Sequence, residues 1–268
     1  MMNIDLREEN LSAYKDSFGF HYSSILAYLS TCFNDSTIVD LGTLDGNSAA
    51  ALAYNKSNKV YTYDIESKEE AISKFELEES KNIEYIITDC IEINWDRQSD
   101  RDIFLSSKLI FLDVDPHDGI QEKIVLRFLV ENNWKGIMIC DDIGSILVER
   151  PLHLGMRKWW DSIDLPKFDI VNRYSSLTGT GIICFDNQKI TYTSLSQEEI
   201  AYKKKQARFD PSSWVYSEAQ TITRFDDGTF ETNKGITGTW TVFRKDTGEE
   251  SIIIKTWAGS LEIPVTKN

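Results

Sequence analysis

From Ser36 to about Phe185, short apolar runs alternate with stretches of helical spacing, the pattern of a parallel sheet with helices on its faces. The runs TIVDLG (37 to 42), KVYTYDI (59 to 65), IEYIITD (83 to 89), KLIFLDVD (108 to 115) and GIMICDD (136 to 142) predict five strands. Between the last two, Ile120, Ile124, Val125, Phe128 and Leu129 recur at helical spacing. The segment after Gly119 is therefore predicted to return over the sheet as a helix, closed by Asn132, Asn133 and Gly136. Beyond the fifth strand, MRKWWDSI reads as a helix. FDIVNRYSS and GTGIICFDN then read as two antiparallel strands joined through a Leu-Thr-Gly turn.

Ser196 and Glu199 have the spacing of a capping box and predict the start of a helix over QEEIAYKKKQARF. From Trp214 the texture changes to short β-rich runs, TITRF, TFETN, TGTWTVF, SIIIKTW and LEIPV, punctuated by Asp-Asp-Gly and Asp-Thr-Gly turn signals. The predicted organisation is an α/β domain over 1–190, a helical connector over 191–213 and a small antiparallel all-β domain over 214–268. A chain of 268 residues has room for that division.

Hydrophobic residues at 41% and aromatic residues at 12% are enough to bury a core, which sets the chain apart from disordered sequences. A formal charge of −14 disfavours a nucleic acid or an anionic membrane as partner. The cluster Lys203, Lys204, Lys205 and Arg208 is the local exception and reads as a solvated helix face. No apolar run approaches the ~20 residues of a membrane span, and the first residues lack the pattern of a signal peptide, so a cytoplasmic location is expected. Cys32, Cys90, Cys140 and Cys184 are widely spaced in or beside apolar segments and read as free, buried thiols.

Candidate chemistry begins at IVDLGTLDGNSAAALA, where an apolar strand enters a D-x-G-x-x-x-G turn before an Ala-rich helix. Gly42 and Gly46 would let the backbone turn tightly and approach a charged small molecule, although such a turn can also be purely structural. Asp64 ends the next strand about twenty residues later, where a carboxylate can accept both hydroxyls of a ribose. Asp89 ends the third strand and suits an adenine amino group, or is a solvated loop aspartate. The turn lacks the G-x-G-x-x-G pattern of a pyrophosphate site.

LIFLDVDPHDG and GIMICDDIG end adjacent strands at the rim where open α/β sheets bind ligands. Asp113, Asp141 and Asp142 have the hard oxygen character that Mg²⁺ or another divalent cation needs. The plainer reading is that the Asp141–Asp142 pair caps a loop and that Asp115 or Asp118 caps the following helix. Trp159, Trp160 and Tyr174 could wall an acceptor pocket or simply be core. His21 and His153 have no comparable surroundings.

The order of these residues resembles class I S-adenosylmethionine methyltransferases. The turn D-x-G-T-x-x-G-x-S-A is similar to that of the catechol and caffeoyl-CoA O-methyltransferases and of the related sugar and antibiotic O-methyltransferases. The likeness spans about residues 20 to 190. It implies a Rossmann-like sheet with helices on both faces, ended by an antiparallel hairpin, and S-adenosylmethionine as cofactor. The implied cofactor site draws on Asp40, Gly42, Thr43, Gly46 and Ser48. Asp40 and Gly42 would hold the methionine end, Asp64 the ribose, and Asp89 with Cys90 the adenine. In the catechol-type family a metal is held by an aspartate after the fourth strand and an acidic or amide pair after the fifth, positions matched by Asp113 and by Asp141 with Asp142. Related sugar methyltransferases carry D-G-x-H. Here D-V-D-P-H puts His117 four residues after Asp113 and two after Asp115, leaving open which aspartate is the ligand. An imidazole beside the methyl donor could take the proton of an attacking hydroxyl, so His117 and Asp113 are the catalytic candidates.

The segment TITRFDDGTFETNKGITGTWTVF resembles a small β module of bacterial polysaccharide-biosynthesis proteins, which implies a glycan or other hydroxylated small-molecule acceptor. Two rival functions remain: an NAD-dependent enzyme using the same rim, and a non-catalytic nucleoside- or glycan-binding module. Homo-oligomerisation stays open.

Overall fold

The structure is a computed structural model. It describes residues 3–19, 21–77, 80–89, 91, 97–144, 154–176, 178–186 and 188–201, with the backbone of strands between 222 and 264. Two compact units divide the chain, Met1–Leu195 and Ser196–Asn268.

In the first unit, strand β1 (Asn3–Asp5) precedes the short helices α1 (Glu8–Leu11) and α2 (Lys15–Phe18) and the longer α3 (Tyr22–Thr31). Strands and helices then alternate as β2 (Thr37–Leu41), α4 (Asn47–Leu52), β3 (Lys59–Asp64), α5 (Glu69–Phe75), β4 (Ile83–Ile87) and α6 (Gln98–Ser106). The series continues as β5 (Leu109–Leu112), α7 (Ile120–Glu131), β6 (Ile137–Cys140) and α8 (Leu154–Ser162), and ends with β7 (Lys167–Ile170), β8 (Thr180–Cys184) and β9 (Lys189–Thr191). The main sheet has the order β4-β3-β2-β5-β6-β8-β7, with β8 antiparallel to both neighbours and the other pairings parallel. This is the five-strand parallel sheet with a terminal antiparallel pair that the methyltransferase resemblance implies. Strand order reverses between β2 and β5, and open α/β sheets bind ligands beyond the strand ends at such a switch point.

The apolar runs are buried on both faces because successive side chains serve different cores. Ile38, Leu109, Phe111, Ile137, Ile139 and Ile182 face a cluster that includes Ile25, Leu26 and Leu29 of α3 and Leu52 of α4. Their neighbours Val39, Ile110, Leu112, Met138 and Ile183 face Phe104 of α6, Val125 and Phe128 of α7, and Trp159 and Trp160 of α8. At ~1.5–3 kcal/mol for each fully buried large apolar side chain, these two layers dominate the stability of the unit. Trp159, Trp160 and Tyr174 are 6%, 0% and 1% exposed, so they are core and do not wall an open pocket. Helix α8 is fastened to β7: Arg157 meets Asp169 at 2.8 Å, the Trp160 indole N–H donates to Asp169, and Lys167 Nζ donates to the Ile163 carbonyl at 2.8 Å.

A parallel pairing of β1 with β9, Ile4 opposite Ile190, ties the start of the chain to the end of this unit. Nothing in the hydrophobic pattern predicts it. The capping box is formed: the Glu199 N–H donates to Ser196 Oγ at 3.2 Å, and the Ser196 N–H donates to Glu199 Oε2 at 2.9 Å. The second unit contains one antiparallel sheet, in chain order β10 (Ile222–Arg224), β11 (Thr229–Thr232), β12 (Thr237–Arg244), β13 (Glu250–Thr256) and β14 (Gly259–Pro264). Cys140 and Cys184 are buried and Cys32 half-buried, all with free thiols. Cys90, His153 and the cluster Lys203, Lys204, Lys205 and Arg208 lie outside the described residues. Among the described residues no helix is long and apolar enough to cross a membrane.

Candidate functional site

Strand β2 delivers Asp40 into the interior at 0% exposure. Its Oδ2 accepts from Thr62 Oγ1 at 2.5 Å and from Ser48 Oγ at 3.1 Å, while its Oδ1 is buried with no hydrogen-bond partner. Burial pushes its pKa up to about 7, against the pull of the two hydroxyls and with a further push from Asp64. Thr43 is 1% exposed and turns its hydroxyl inward to Thr62 Oγ1, at 2.6 Å. Thr43 and Ser48 thus use their side chains on the interior, within hydrogen-bonding distance of Asp40 or of its partner.

The glycine turn packs closely against the chain itself. Gly42 has φ +97°, and a Cβ there would lie 1.8 Å from the Asp113 carbonyl oxygen. Gly46 has φ +81°, and its Cβ would meet the Phe75 ring of α5 at 2.9 Å. Close approach of the chain to itself is enough to demand both glycines, which is the structural alternative left open for this turn.

Asp64 closes the turn from the side. Its Oδ2 accepts the Leu44 N–H at 2.8 Å and its Oδ1 the Glu66 N–H at 3.2 Å, which leaves acceptor capacity on both oxygens. Leu44, at φ +44°, and Ile65 flank the carboxylate, and each is 66% exposed. Two exposed aliphatic side chains beside a carboxylate with spare lone pairs form an amphipathic surface. Asp89 lies half-buried beyond β4, with its Oδ1 accepting the Ile91 N–H at 2.8 Å.

At the ends of β5 and β6, Asp113, His117 and Asp142 converge, each offering a ligand atom within 4.8 Å of the others. His117 Nε2 lies 3.7 Å from Asp113 Oδ1, 3.4 Å from Asp142 Oδ2 and 3.3 Å from Asp115 Oδ1. His117 (φ 54°) and Asp142 (φ 55°) both adopt the left-handed region in the loops that follow β5 and β6. Asp115 is 96% exposed, so Asp113 and Asp142 are the enclosed partners. Asp141, the third expected metal ligand, is outside this group. It is 6% exposed and its Oδ1 accepts from Ser176 Oγ at 2.6 Å, which ties β6 to the loop before β8. Asp118 Oδ1 accepts the Ile120 N–H at 2.8 Å, but the N-cap of α7 is the next residue, Gly119, and neither Asp118 nor Asp115.

Burial, then mutual repulsion with Asp141, Asp142, Asp40 and Asp115, pushes Asp113 well above the usual carboxylate range. Burial and Asp142 push Asp141 up as well. Such a cluster either retains protons or takes a cation. Behind it Glu122 is 1% exposed, and burial raises its pKa despite the opposing pull of His117. Sequence reasoning missed Tyr22, the first residue of α3, whose hydroxyl is pushed above the ordinary tyrosine range by burial and then by the charges of Asp113, Asp141, Asp40 and Asp142. Its neighbour His21 accepts the Ser23 N–H at 3.4 Å as the helix N-cap. An aromatic residue at a helix start carries no motif, so only the fold sets Tyr22 against Phe111.

No protein-family model and no curated sequence matches the chain. Among solved structures it is similar to cofactor-bound Rv0187 from MTB, at 15% identity and TM-score 0.44 over 62% of this chain and 80% of that one. An O-methyltransferase from Bacillus cereus in complex with SAH is similar at 17% identity and TM-score 0.43, over 66% and 87%. An rRNA methylase from Streptococcus thermophilus is similar at 13% identity and TM-score 0.41, over 60% and 93%. All three scores lie below 0.5, and residue roles in this chain follow from its own geometry.

Proposed function

We propose that the chain is an S-adenosylmethionine-dependent methyltransferase acting on an oxygen of a sugar or other hydroxylated small molecule. The observation that carries this reading is the orphaned Oδ1 of Asp40, a fully buried acceptor two residues before the glycine turn. Leaving such an atom unmatched costs ~1–3 kcal/mol or more, and a ligand ammonium at the methionine end is the donor that would satisfy it. Asp64, with spare lone pairs on both oxygens between exposed Leu44 and Ile65, suits a ribose diol beside an apolar base face. Asp89 would complete the adenine side.

When bound, the cofactor supplies the activated methyl group. The chain aligns the acceptor oxygen, excludes water and holds a proton acceptor at the rim. Asp113, His117 and Asp142 would hold a divalent cation, whose charge offsets theirs and favours loss of the acceptor's proton. Two carboxylates with one imidazole suit Mn²⁺ at least as well as Mg²⁺. If no cation binds, His117 is the base. We read the second unit as a separate all-β domain that presents a glycan acceptor.

Calorimetry with S-adenosylhomocysteine and with NAD tests the cofactor directly. Binding of S-adenosylhomocysteine alone is expected. Binding of NAD alone would transfer the chain to the dehydrogenases, and binding without methyl transfer to any glycan or phenol would leave a non-catalytic nucleoside-binding module.

A further inference from the structure

Helix α7 starts at Ile120, beside the acidic rim, and returns along the sheet toward the start of β6. At 1.5 Å per residue its last turn lies roughly 15 Å from its first. Along this second half, Ile124, Arg127, Phe128 and Glu131 of α7, its C-cap Asn132 and Arg101 of α6 line a cavity of about 320 Å³.

Arg101 is fixed in the wall of the cavity. Its guanidinium donates to Asn132 Oδ1 and lies over the Phe128 ring, 5.5 Å from the centroid. Asn132 is itself oriented, because its Nδ2 donates to the Phe128 carbonyl at 2.8 Å and leaves Oδ1 for the arginine. A neutral amide occupies part of a five-donor fork and offsets none of its charge. Among the described residues no carboxylate pairs with Arg101: Asp100 pairs with Arg97 at 3.4 Å, and Asp102 accepts from Gln98 at 2.6 Å. Arg127 has Glu131 at 3.9 Å, with both side chains exposed. Two guanidinium groups and one carboxylate thus line the cavity, in a chain whose formal charge is −14. The carbonyl dipoles at the end of α7 oppose an anion, but the Asn132, Asn133 and Trp134 N–H groups cap the Phe128, Val130 and Leu129 carbonyls.

We propose that this cavity binds a small molecule carrying an oxyanion, a phosphate monoester or a carboxylate, on an apolar body. The arginine forks suit the oxyanion, and Ile124 with Phe128 supplies the apolar wall. The volume lies at the low end for small-ligand pockets, and six lining residues are far fewer than the 20–30 a protein partner covers. The site is separate from the acidic rim and does not depend on the methyltransferase reading.

Calorimetric titration of the full chain with phenyl phosphate, benzoate, inorganic phosphate and phenol tests the proposal. Phenyl phosphate or benzoate is expected to bind at one site, and the tighter of the two identifies the oxyanion. Inorganic phosphate should bind at least several-fold more weakly, and phenol not measurably. Arg101→Gln should weaken the tighter probe about 10- to 100-fold, as for one lost hydrogen bond to a charged group. The exposed Arg127 contributes less, so Arg127→Gln should cost about threefold or more. Glu131→Gln removes the competing carboxylate and should tighten binding, a gain that misfolding cannot imitate. Absence of saturable binding by either aromatic anion overturns the proposal. So does affinity that survives both arginine substitutions, weaker binding by Glu131→Gln, or equal affinity for inorganic phosphate or phenol.

Discussion

Gly42 packs against the backbone of Asp113, so closely that a Cβ on Gly42 would stand 1.8 Å from the Asp113 carbonyl oxygen. The contact joins β2 to β5 at the switch point and ties the glycine turn to the acidic rim. Gly42→Ala must bring a left-handed φ into conflict with an L side chain, at ~1–2 kcal/mol, and also push two paired strands apart. We expect a total loss of about 3 kcal/mol or more in urea denaturation. A wild-type midpoint in the variant would show that the strand ends separate freely, against the geometry described.

Asp64→Ala removes the acceptor of the Leu44 N–H as well as the proposed ribose contact. Affinity for S-adenosylhomocysteine should fall about 10- to 100-fold, the effect of losing one charged hydrogen bond with partial replacement by water. Leu44 is exposed, so its amide can turn to solvent and stability should change little. Calorimetry and thermal denaturation on the same preparation separate these effects. Full affinity in a folded variant would remove Asp64 from the site.

Asp40 makes stability depend on pH in the direction opposite to that of a salt-bridged aspartate. Its folded pKa is about 7 against an ordinary 3.8, so the folded chain binds this proton more tightly than the unfolded chain. The contribution is therefore complete below 3.8 and is lost as pH rises to about 7, on the order of 4 kcal/mol at most. Asp113 and Asp141 shift upward too and act with the same sign. The ligand-free protein should melt at a lower temperature at pH 8 than at pH 5, and Asp40→Asn should flatten that slope. Equal slopes in the two proteins across this range would mean that Asp40 is not the buried titrating group.

The parallel sheet was legible because each of its strands is a compact apolar run, and TIVDLG and GIMICDD were located to within two residues at each end. The terminal antiparallel pair was legible for the same reason, and so was the capping box at Ser196. Other features depend on partners distant in sequence. The three residues of β1 are too few for periodicity to register, and they pair with residues near position 190. The orientation of Asp141 was equally hidden: two adjacent aspartates look alike in sequence, yet Ser176 claims one and His117 faces the other. Tyr22 has no motif at all.

The acidic rim supplies the last prediction, because Asp141 and Asp142 are chemically identical and differ only in where they point. Asp142 lies 3.4 Å from His117 Nε2 and belongs to the convergent group with Asp113, whereas Asp141 is 6% exposed and engaged by Ser176. If the group holds a cation, Mn²⁺ should bind the wild-type chain at one site, measurable by calorimetry or by paramagnetic broadening of the imidazole resonances. Asp113→Ala, Asp142→Ala and His117→Ala should each weaken that binding by more than the ~10–100-fold typical of losing an outer-shell partner. Asp141→Asn should leave Mn²⁺ affinity within a few-fold of wild type, since its amide can still accept from Ser176. These variants separate the two roles of His117. A His117→Ala protein that keeps wild-type Mn²⁺ affinity but loses turnover assigns the imidazole to proton removal, and the cation then rests on the carboxylates. A wild-type chain that binds no Mn²⁺, with activity unaffected by chelation, removes the cation and leaves His117 to take the proton unaided.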